Sequence, residues 1–368
     1  MTRAPKLWNG AMQQGFDGDP ERLKAGGTQY YCVSLPEDRV QLDASVVDLV
    51  EAARPHYLRV GLNPTTTIVS TQSAVDLLPG EVYVPCMYNP QWAPQNALDP
   101  SWNQVIVDAA MKSEFVKFMT THGFIGLAPA TQVARPGEVI DLPAGVDKVW
   151  FKRTIETSGG VNVEGPVGGE QFADKAATYA QRGEPYQIQE HVHGVDISNQ
   201  YWVEVDIDGN ATLEFFGTTE QVMVKDHHAG NRWPAPVGDW GPLTHAIAEK
   251  LVALGLRGFF GVDARVNGIT GRITEFNLRV NGSSVPLMLA RRLGADSVSL
   301  RRETLVHRSL TPERMFQRLE DSGHEFRGGE GVVVYLMGWF HQGTVGIATF
   351  GANSQRRYDK VERLLAMS

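Results

Sequence analysis

The sequence predicts an α+β protein built from two or three compact units, and three observations carry that expectation. Its 368 residues exceed what a single domain core of usual size requires. Hydrophobic residues are 42% and charged residues 21% of the chain, the composition of a folded protein and not of a disordered one. Strand-like and helix-like patterns follow one another along it, with Asp-Gly and Asn-Gly turns after two of the strand patterns.

In chain order, residues 29–35 read as a buried strand, residues 45–53 as a helix ended by Pro55, and residues 56–60 as a second strand. Strand, helix and strand in that order predict a small α/β unit. Prolines and amides make residues 88–96 a loop, in which Tyr88 and Trp92 are candidates to line a pocket. Residues 104–122 have helical periodicity, with Gly123 as the C-cap. Residues 148–153 read as a strand running into a Ser-Gly loop, and further strands follow at 186–192 and 198–205. A helix over 243–254 is stopped by Gly255. Two strands, 258–266 and 272–277, flank Asn267-Gly268 and predict a hairpin; the helix over 286–293 is closed by Gly294. Strands at 331–337 and 345–350 precede a basic terminal helix. The expected units are residues 1–105, 106–300 and 301–368.

A net charge of −8, with no basic run interleaved with aromatics, argues against a nucleic-acid partner. The first residues lack the apolar stretch of a signal peptide, and no segment has the length of a membrane span, so a cytoplasmic protein is expected. Two cysteines, Cys32 and Cys86, make neither a disulfide framework nor a thiolate zinc site.

Three motifs carry chemistry. On the hairpin, Glu275 and Asn277 are two apart and share one face, and the turn brings Asp263 to them. Two carboxylates and an amide oxygen are hard ligands suited to Mg²⁺ held between protein and phosphates. Next, Lys152 ends an apolar strand ahead of Ser158-Gly159-Gly160, a place for an ammonium and backbone N–H groups on polyphosphate oxygens. Neither a P-loop nor a Gly-x-Gly-x-x-Gly string occurs. Third, the extended stretch 189–196 can offer its backbone N–H and C=O groups to an adenine edge, with Asp196 just beyond to accept from ribose hydroxyls. His191 and His193 share a strand face, but no further ligand spacing completes a metal site with them.

Taken in order, these motifs resemble the ATP-grasp superfamily over residues 105–294, including Lys112 in the helix before residue 122 and Arg279 after the hairpin. The resemblance implies an ATP-grasp fold between an N-terminal α/β unit and a small C-terminal α/β unit. It implies Lys112 and Lys152 on ATP phosphates under the loop of Ser158, Gly159 and Gly160, and Glu190, His191 and Val192 around the adenine. Asp196 would hold the ribose, Asp263, Glu275 and Asn277 one or two Mg²⁺, and Arg279 with Lys152 the charge of the transferring phosphoryl group. The flanks resemble the pheganomycin-type peptide ligases of antibiotic biosynthesis. The implied activity is an ATP-dependent carboxylate–amine ligase working through an acyl phosphate and releasing ADP and phosphate. The alternatives are loading an amino acid onto a carrier-protein thiol and phosphorylating a small-molecule hydroxyl. The partners to expect are small-molecule or peptide acids and amines, a carrier protein, and a second copy of the chain, with Trp339 and His341 either capping the site or forming the dimer surface.

Overall fold

A computed structural model describes residues 4–10, 26–71, 73–85, 109, 112–154, 163–205, 210–224 and 227–368. The chain begins with β1 (Lys6–Asn9), β2 (Arg39–Leu42), α1 (Val47–Arg59), β3 (Thr67–Ser70) and β4 (Val82–Pro85). The four strands form a parallel sheet in the order β3-β2-β1-β4. Strand alternation sends neighbouring β1 side chains to opposite faces: Leu7 and Trp8 are both buried, each in a different core.

Two expectations for this unit need correction. Residues 29–35 are not a strand: a 3₁₀ turn at Gly27–Tyr30 is followed by further turns. Tyr30, Tyr31, Cys32 and Val33 are all buried, and a short run buried on every side has no period by which strand and turn differ. Residues 56–60 are not a strand either, because α1 runs through Pro55 to Arg59. The carbonyl that loses its donor at Pro55 belongs to Glu51, which is exposed and open to water, while His56 and Tyr57 on the inner face are fully buried.

That inner face is pinned to the C-terminal part of the chain. His56 Nδ1 lies 2.7 Å from Glu325 Oε1, and the Val334 N–H donates to His56 Nε2 at 3.2 Å. With Nε2 an acceptor, the proton sits on Nδ1 and the ring is neutral. Arg59 grips the same carboxylate through Nε at 3.0 Å and Nη2 at 2.7 Å.

The second sheet follows α2 (Lys112–Thr121): β5 (Thr131–Ala134), β6 (Lys148–Arg153), β7 (Val163–Gly168), α3 (Glu170–Gln181) and β8 (Tyr186–Glu190), paired antiparallel in the order β5-β8-β6-β7. Phe172, Ala176 and Tyr179 of α3 pack on Phe151, Tyr186 and Ile188 of the sheet. The strand expected over 186–192 stops at Glu190, and residues 191–193 are irregular. Of the helix expected over 104–122, the part before residue 109 lies outside the described residues, as does the loop over 88–96.

The third sheet is built from β9 (Val195–Val205), β10 (Ala211–Val224), β11 (His227–Trp233), α4 (Gly241–Ala253), β12 (Gly258–Asn267), β13 (Thr270–Asn277), α5 (Ser284–Leu293), β14 (Val298–Leu305), α6 (Pro312–Asp321), β15 (Gly331–Leu336), β16 (Thr344–Phe350) and α7 (Ser354–Ala366). Its eight strands run β13-β12-β9-β10-β11-β14-β16-β15. The last strands therefore extend the sheet that carries the predicted hairpin, through β11–β14 pairs such as Gly230 with Arg301. Gly294 closes α5 in the left-handed conformation (φ 60°), where a residue with a Cβ is strained. Among the described residues no helix is long and apolar enough to cross a membrane.

Candidate active site

The β12–β13 hairpin sets Asp263 directly opposite Glu275 and Gly261 opposite Asn277. Asn277 Nδ2 donates to Asp263 Oδ2 at 2.8 Å and to Glu275 Oε1 at 3.4 Å. A support beneath Asp263 comes from neighbouring strands. The Ser198 hydroxyl donates to Oδ1, Gln221 Nε2 donates to Oδ2 at 2.9 Å, and Gln200 Nε2 donates to Ser198 Oγ at 2.7 Å. Ser284, opening α5, donates to Gln200 Oε1 at 2.6 Å. A hydrogen-bond chain thus runs from the helix to the carboxylate and fixes its orientation.

Burial raises the Asp263 pKa, the Glu275 charge raises it further, and the bonds from Ser198 and Gln221 offset this only in part. Burial would also raise Glu275, but Lys112, Lys152 and Arg279 together outweigh it and hold that carboxyl below its usual range. Two buried carboxylates facing each other are costly without a cation between them. Among the described residues no cluster of three or more His, Cys, Asp or Glu is placed to hold a metal. The set is therefore two carboxylates and one amide, too few to enclose a transition metal but enough for Mg²⁺, which keeps open positions for water and phosphate oxygens. With such an ion present, the Asn277 amide must turn to present Oδ1, because in this structure its NH₂ faces both carboxylates.

Lys152 points into the same space from β6. It is only 8% exposed, and its Nζ donates to Gln189 Oε1 at 2.6 Å. Burial pushes its pKa down to about 8, against the pull of the Glu275 charge. Lys112, at the start of α2, is buried as well, and its charge acts on both Glu275 and Lys152. Ser158, Gly159 and Gly160 lie outside the described residues.

The stretch after β8 is organised by a residue that sequence reasoning missed. Arg265 binds Asp196 through Nε to Oδ1 at 2.6 Å and Nη2 to Oδ2 at 2.5 Å, and its Nη1 donates to the Val192 carbonyl at 3.0 Å. The Asp196 carboxylate is thus gripped at both oxygens, so what it offers a ribose is the remaining lone pairs of a fixed group. Glu190 is tied to Ala130 twice, Oε2 accepting from the Ala130 N–H at 3.0 Å and its own N–H donating to the Ala130 carbonyl at 2.8 Å. The His191 N–H donates to the Lys148 carbonyl at 2.8 Å, so these two N–H groups expected at an adenine edge already have partners. His191 Nδ1 accepts from Trp150 Nε1 at 3.0 Å, and burial and then Arg265 lower its pKa. A signal for Arg265 was present, since it is two residues from Asp263 and shares that strand face.

A cavity of about 310 Å³ joins these parts. The nucleotide-side candidates Lys152, Glu190, Val192 and Asp196 line it, and so do Asp263, Glu275, Asn277 and Arg279. Lys112 and His191 stand behind this wall and act through their neighbours. Arg279 is 8% exposed, and its backbone N–H donates to the Asn277 carbonyl at 2.8 Å, which turns the chain from β13 toward α5.

No protein-family model and no curated protein sequence matches the chain. Solved structures do match. The ADP complex of PurK, N5-carboxyaminoimidazole ribonucleotide synthetase, is 14% identical with a TM-score of 0.57, covering 99% of this chain and 98% of that one. N5-carboxyaminoimidazole synthetase from Staphylococcus aureus complexed with ADP is 10% identical with a TM-score of 0.57, over 98% and 97%. Biotin carboxylase from Campylobacter jejuni is 12% identical with a TM-score of 0.55, over 95% and 88%. The likeness is one of fold and extends over nearly the whole chain: the fold is the ATP-grasp architecture.

Proposed function

We propose that the chain binds ATP with Mg²⁺ and activates a carboxylate as an acyl phosphate, which an amine then captures to give an amide, with release of ADP and phosphate. One observation carries this reading. Asp263, Glu275 and Asn277 converge with Lys152 and Arg279 on one cavity whose other end is the Gln189–Asp196 stretch. Several cations around two carboxylates suit a polyphosphate and its metal, and the similar folds include two solved with ADP.

A carboxylate does not acylate an amine at neutral pH, because oxide would have to leave; phosphorylation gives it phosphate as leaving group. Little covalent chemistry falls to the protein, so positioning and neutralisation of charge dominate. Lys152 meets the phosphate oxygens, Lys112 adds its charge from behind the cavity wall, and Arg279 meets the transferring group and the carboxylate that receives it. Asp263, Glu275 and Asn277 would hold Mg²⁺, which would supply neutralisation of charge on the β- and γ-phosphates. Arg265 holds the Asp196 carboxylate and the Val192 carbonyl in place for the nucleoside. The likeness of the flanks to pheganomycin-type ligases favours a peptide bond as the amide formed.

The test is phosphate release from ATP against panels of acids and amines, with hydroxylamine as trap. Release that needs an acid, together with ADP and a hydroxamate, supports the proposal; AMP and pyrophosphate sink it. Glu275→Gln and Lys152→Ala are each expected to lower turnover by a factor on the order of 10²–10³ or more with the fold retained.

A further inference from the structure

Beyond the proposed phosphate and metal groups, the cavity continues to residues from β11, β14 and β15, among them His228, Arg302 and Tyr335. Arg302 differs from the other arginines lining the cavity. Arg265 is spent on Asp196, and Arg279 lies within the electrostatic reach of Asp263 and Glu275. Among the described residues no carboxylate lies within 4.0 Å of the Arg302 guanidinium. Its neighbours are His228 Nδ1 at 3.5 Å and the Trp339 ring at 5.4 Å. Trp339 is itself buried in the core, so it braces Arg302 and offers no surface. Burial and then the Arg302 charge push the His228 pKa down to about 4, so the imidazole is neutral and supplies no counter-charge.

A third group faces the same place. A Cβ added at Gly282 would lie 3.3 Å from His228 Cε1, so the chain just ahead of α5 touches the imidazole. Gly282 and Ser283 line the cavity there, at the positive end of a ten-residue helix. A half-buried guanidinium without a counter-charge, a neutral imidazole and a helix N-terminus form an environment that an anion completes.

We propose that Arg302, with His228 and the α5 N-terminus, recognises a carboxylate or phosphate group on the substrate undergoing ligation, a group separate from the carboxylate that is activated. The chain keeps the two ends near each other: Arg279 is three residues from Gly282, so their Cα atoms lie at most about 11 Å apart. A small acid with a second anionic group fits this span, and it makes Arg302 a specificity residue. The assignment rests on the ligase reading for which end reacts, but not for the existence of the anion pocket.

The experiment fills the nucleotide end with Mg²⁺ and a non-hydrolysable ATP analogue, then titrates inorganic phosphate, glutarate and the neutral glutaramide by calorimetry. One anion is expected to bind while glutaramide does not. Arg302→Met should weaken that binding at least tenfold and leave ADP affinity within twofold, and Arg302→Lys should keep part of it. Tighter binding of phosphate or of glutarate tells a phosphoryl substrate from a carboxylate one. Equal anion affinity in wild type and Arg302→Met overturns the proposal, as does binding of glutaramide equal to glutarate. Failure of ADP to bind overturns the ATP reading instead; the anion titration is then run on nucleotide-free Lys152→Ala protein, where the same comparison at Arg302 decides.

Discussion

Replacing Lys152 with Met should stabilise the fold while it destroys activity, and the size of the gain follows from the burial of the ammonium. The Lys152 pKa falls from 10.5 to about 8, a loss of about 3 kcal/mol for the charged form relative to the unfolded chain. The attraction of Glu275 is already contained in that shift. Met keeps the length and the apolar stem of the side chain, so the main offset is the bond lost to Gln189 Oε1, worth about 1.5–3 kcal/mol as a bond to a charged donor and less where the cavity lets water replace it. A net gain of roughly 1–2 kcal/mol at pH 7 remains. The pH dependence carries a definite sign. Because the folded pKa lies below the unfolded one, wild type is penalised at pH values below 8 and recovers as the pH rises from 8 to 10.5. Urea denaturation of both proteins from pH 7 to pH 10.5 should show the variant ahead at neutral pH and level with wild type at the top of the range. A variant less stable than wild type at pH 7, or a lead that does not shrink with pH, refutes the argument that this lysine is kept for function at the expense of stability.

Other perturbations have equally definite outcomes. Wild-type affinity for ADP with Mg²⁺ should decline above pH 8, by up to about tenfold per pH unit, since the phosphates need the charged form of Lys152; titration calorimetry at several pH values reads this. Glu325→Gln should cost about 2–3 kcal/mol at pH 7, because the carboxyl, held down to about 2 by His56 and Arg59 against burial, is the anchor of α1. As a depressed carboxyl, it contributes fully above pH 4.5 and loses that contribution toward pH 2, so acid unfolding should steepen in wild type and flatten in the variant. Arg265→Met frees Asp196 and Val192 together, and should raise the KM for ATP by at least tenfold with a smaller change in kcat. Gly261→Ala places a Cβ against the Gln200 and Asn281 amides beneath Asp263, which should cost about 1–3 kcal/mol and lower kcat, read by thermal denaturation and phosphate release.

The parts of the site legible in the sequence are those set by local geometry. The two-residue period of a strand sufficed to set Glu275 and Asn277 on one face, and the turn to bring β12 and β13 together. That Asp263 joins them depends on a bulge at Thr274, which shifts the register by one residue between Ala264–Ile273 and Asp263–Glu275 and which no residue pattern announced. What else escaped depends on register between strands far apart in the chain. Ser198 meets Asp263, and Asp196 meets Arg265, only because β9 lies antiparallel against β12, a pairing across more than 60 residues. The same limit explains why the strands expected at 331–337 and 345–350 gave no sign that they join the central sheet through β14. Residues 29–35 failed for another reason, a run buried on nearly every side whose periodicity holds no information about the element it forms, and residues 56–60 because α1 continues through Pro55 instead of ending before it.

Two groups at the centre of the molecule are held against their natural charge state, and in opposite directions. Asp263 is pressed toward its protonated form and Lys152 toward its deprotonated form, both chiefly by burial in one cavity. If stability alone had shaped this region, a direct ion pair between them or apolar replacements would have relieved both. Instead Asp263 is satisfied by three neutral donors, Ser198, Gln221 and Asn277, and Lys152 by a neutral acceptor, Gln189. Neutral partners orient a charged group without cancelling its charge, so the acid remains available to a cation and the lysine to an anion. A metal–polyphosphate ligand supplies both at once, and for that reason the arrangement is better explained by a bound nucleotide than by the needs of the fold.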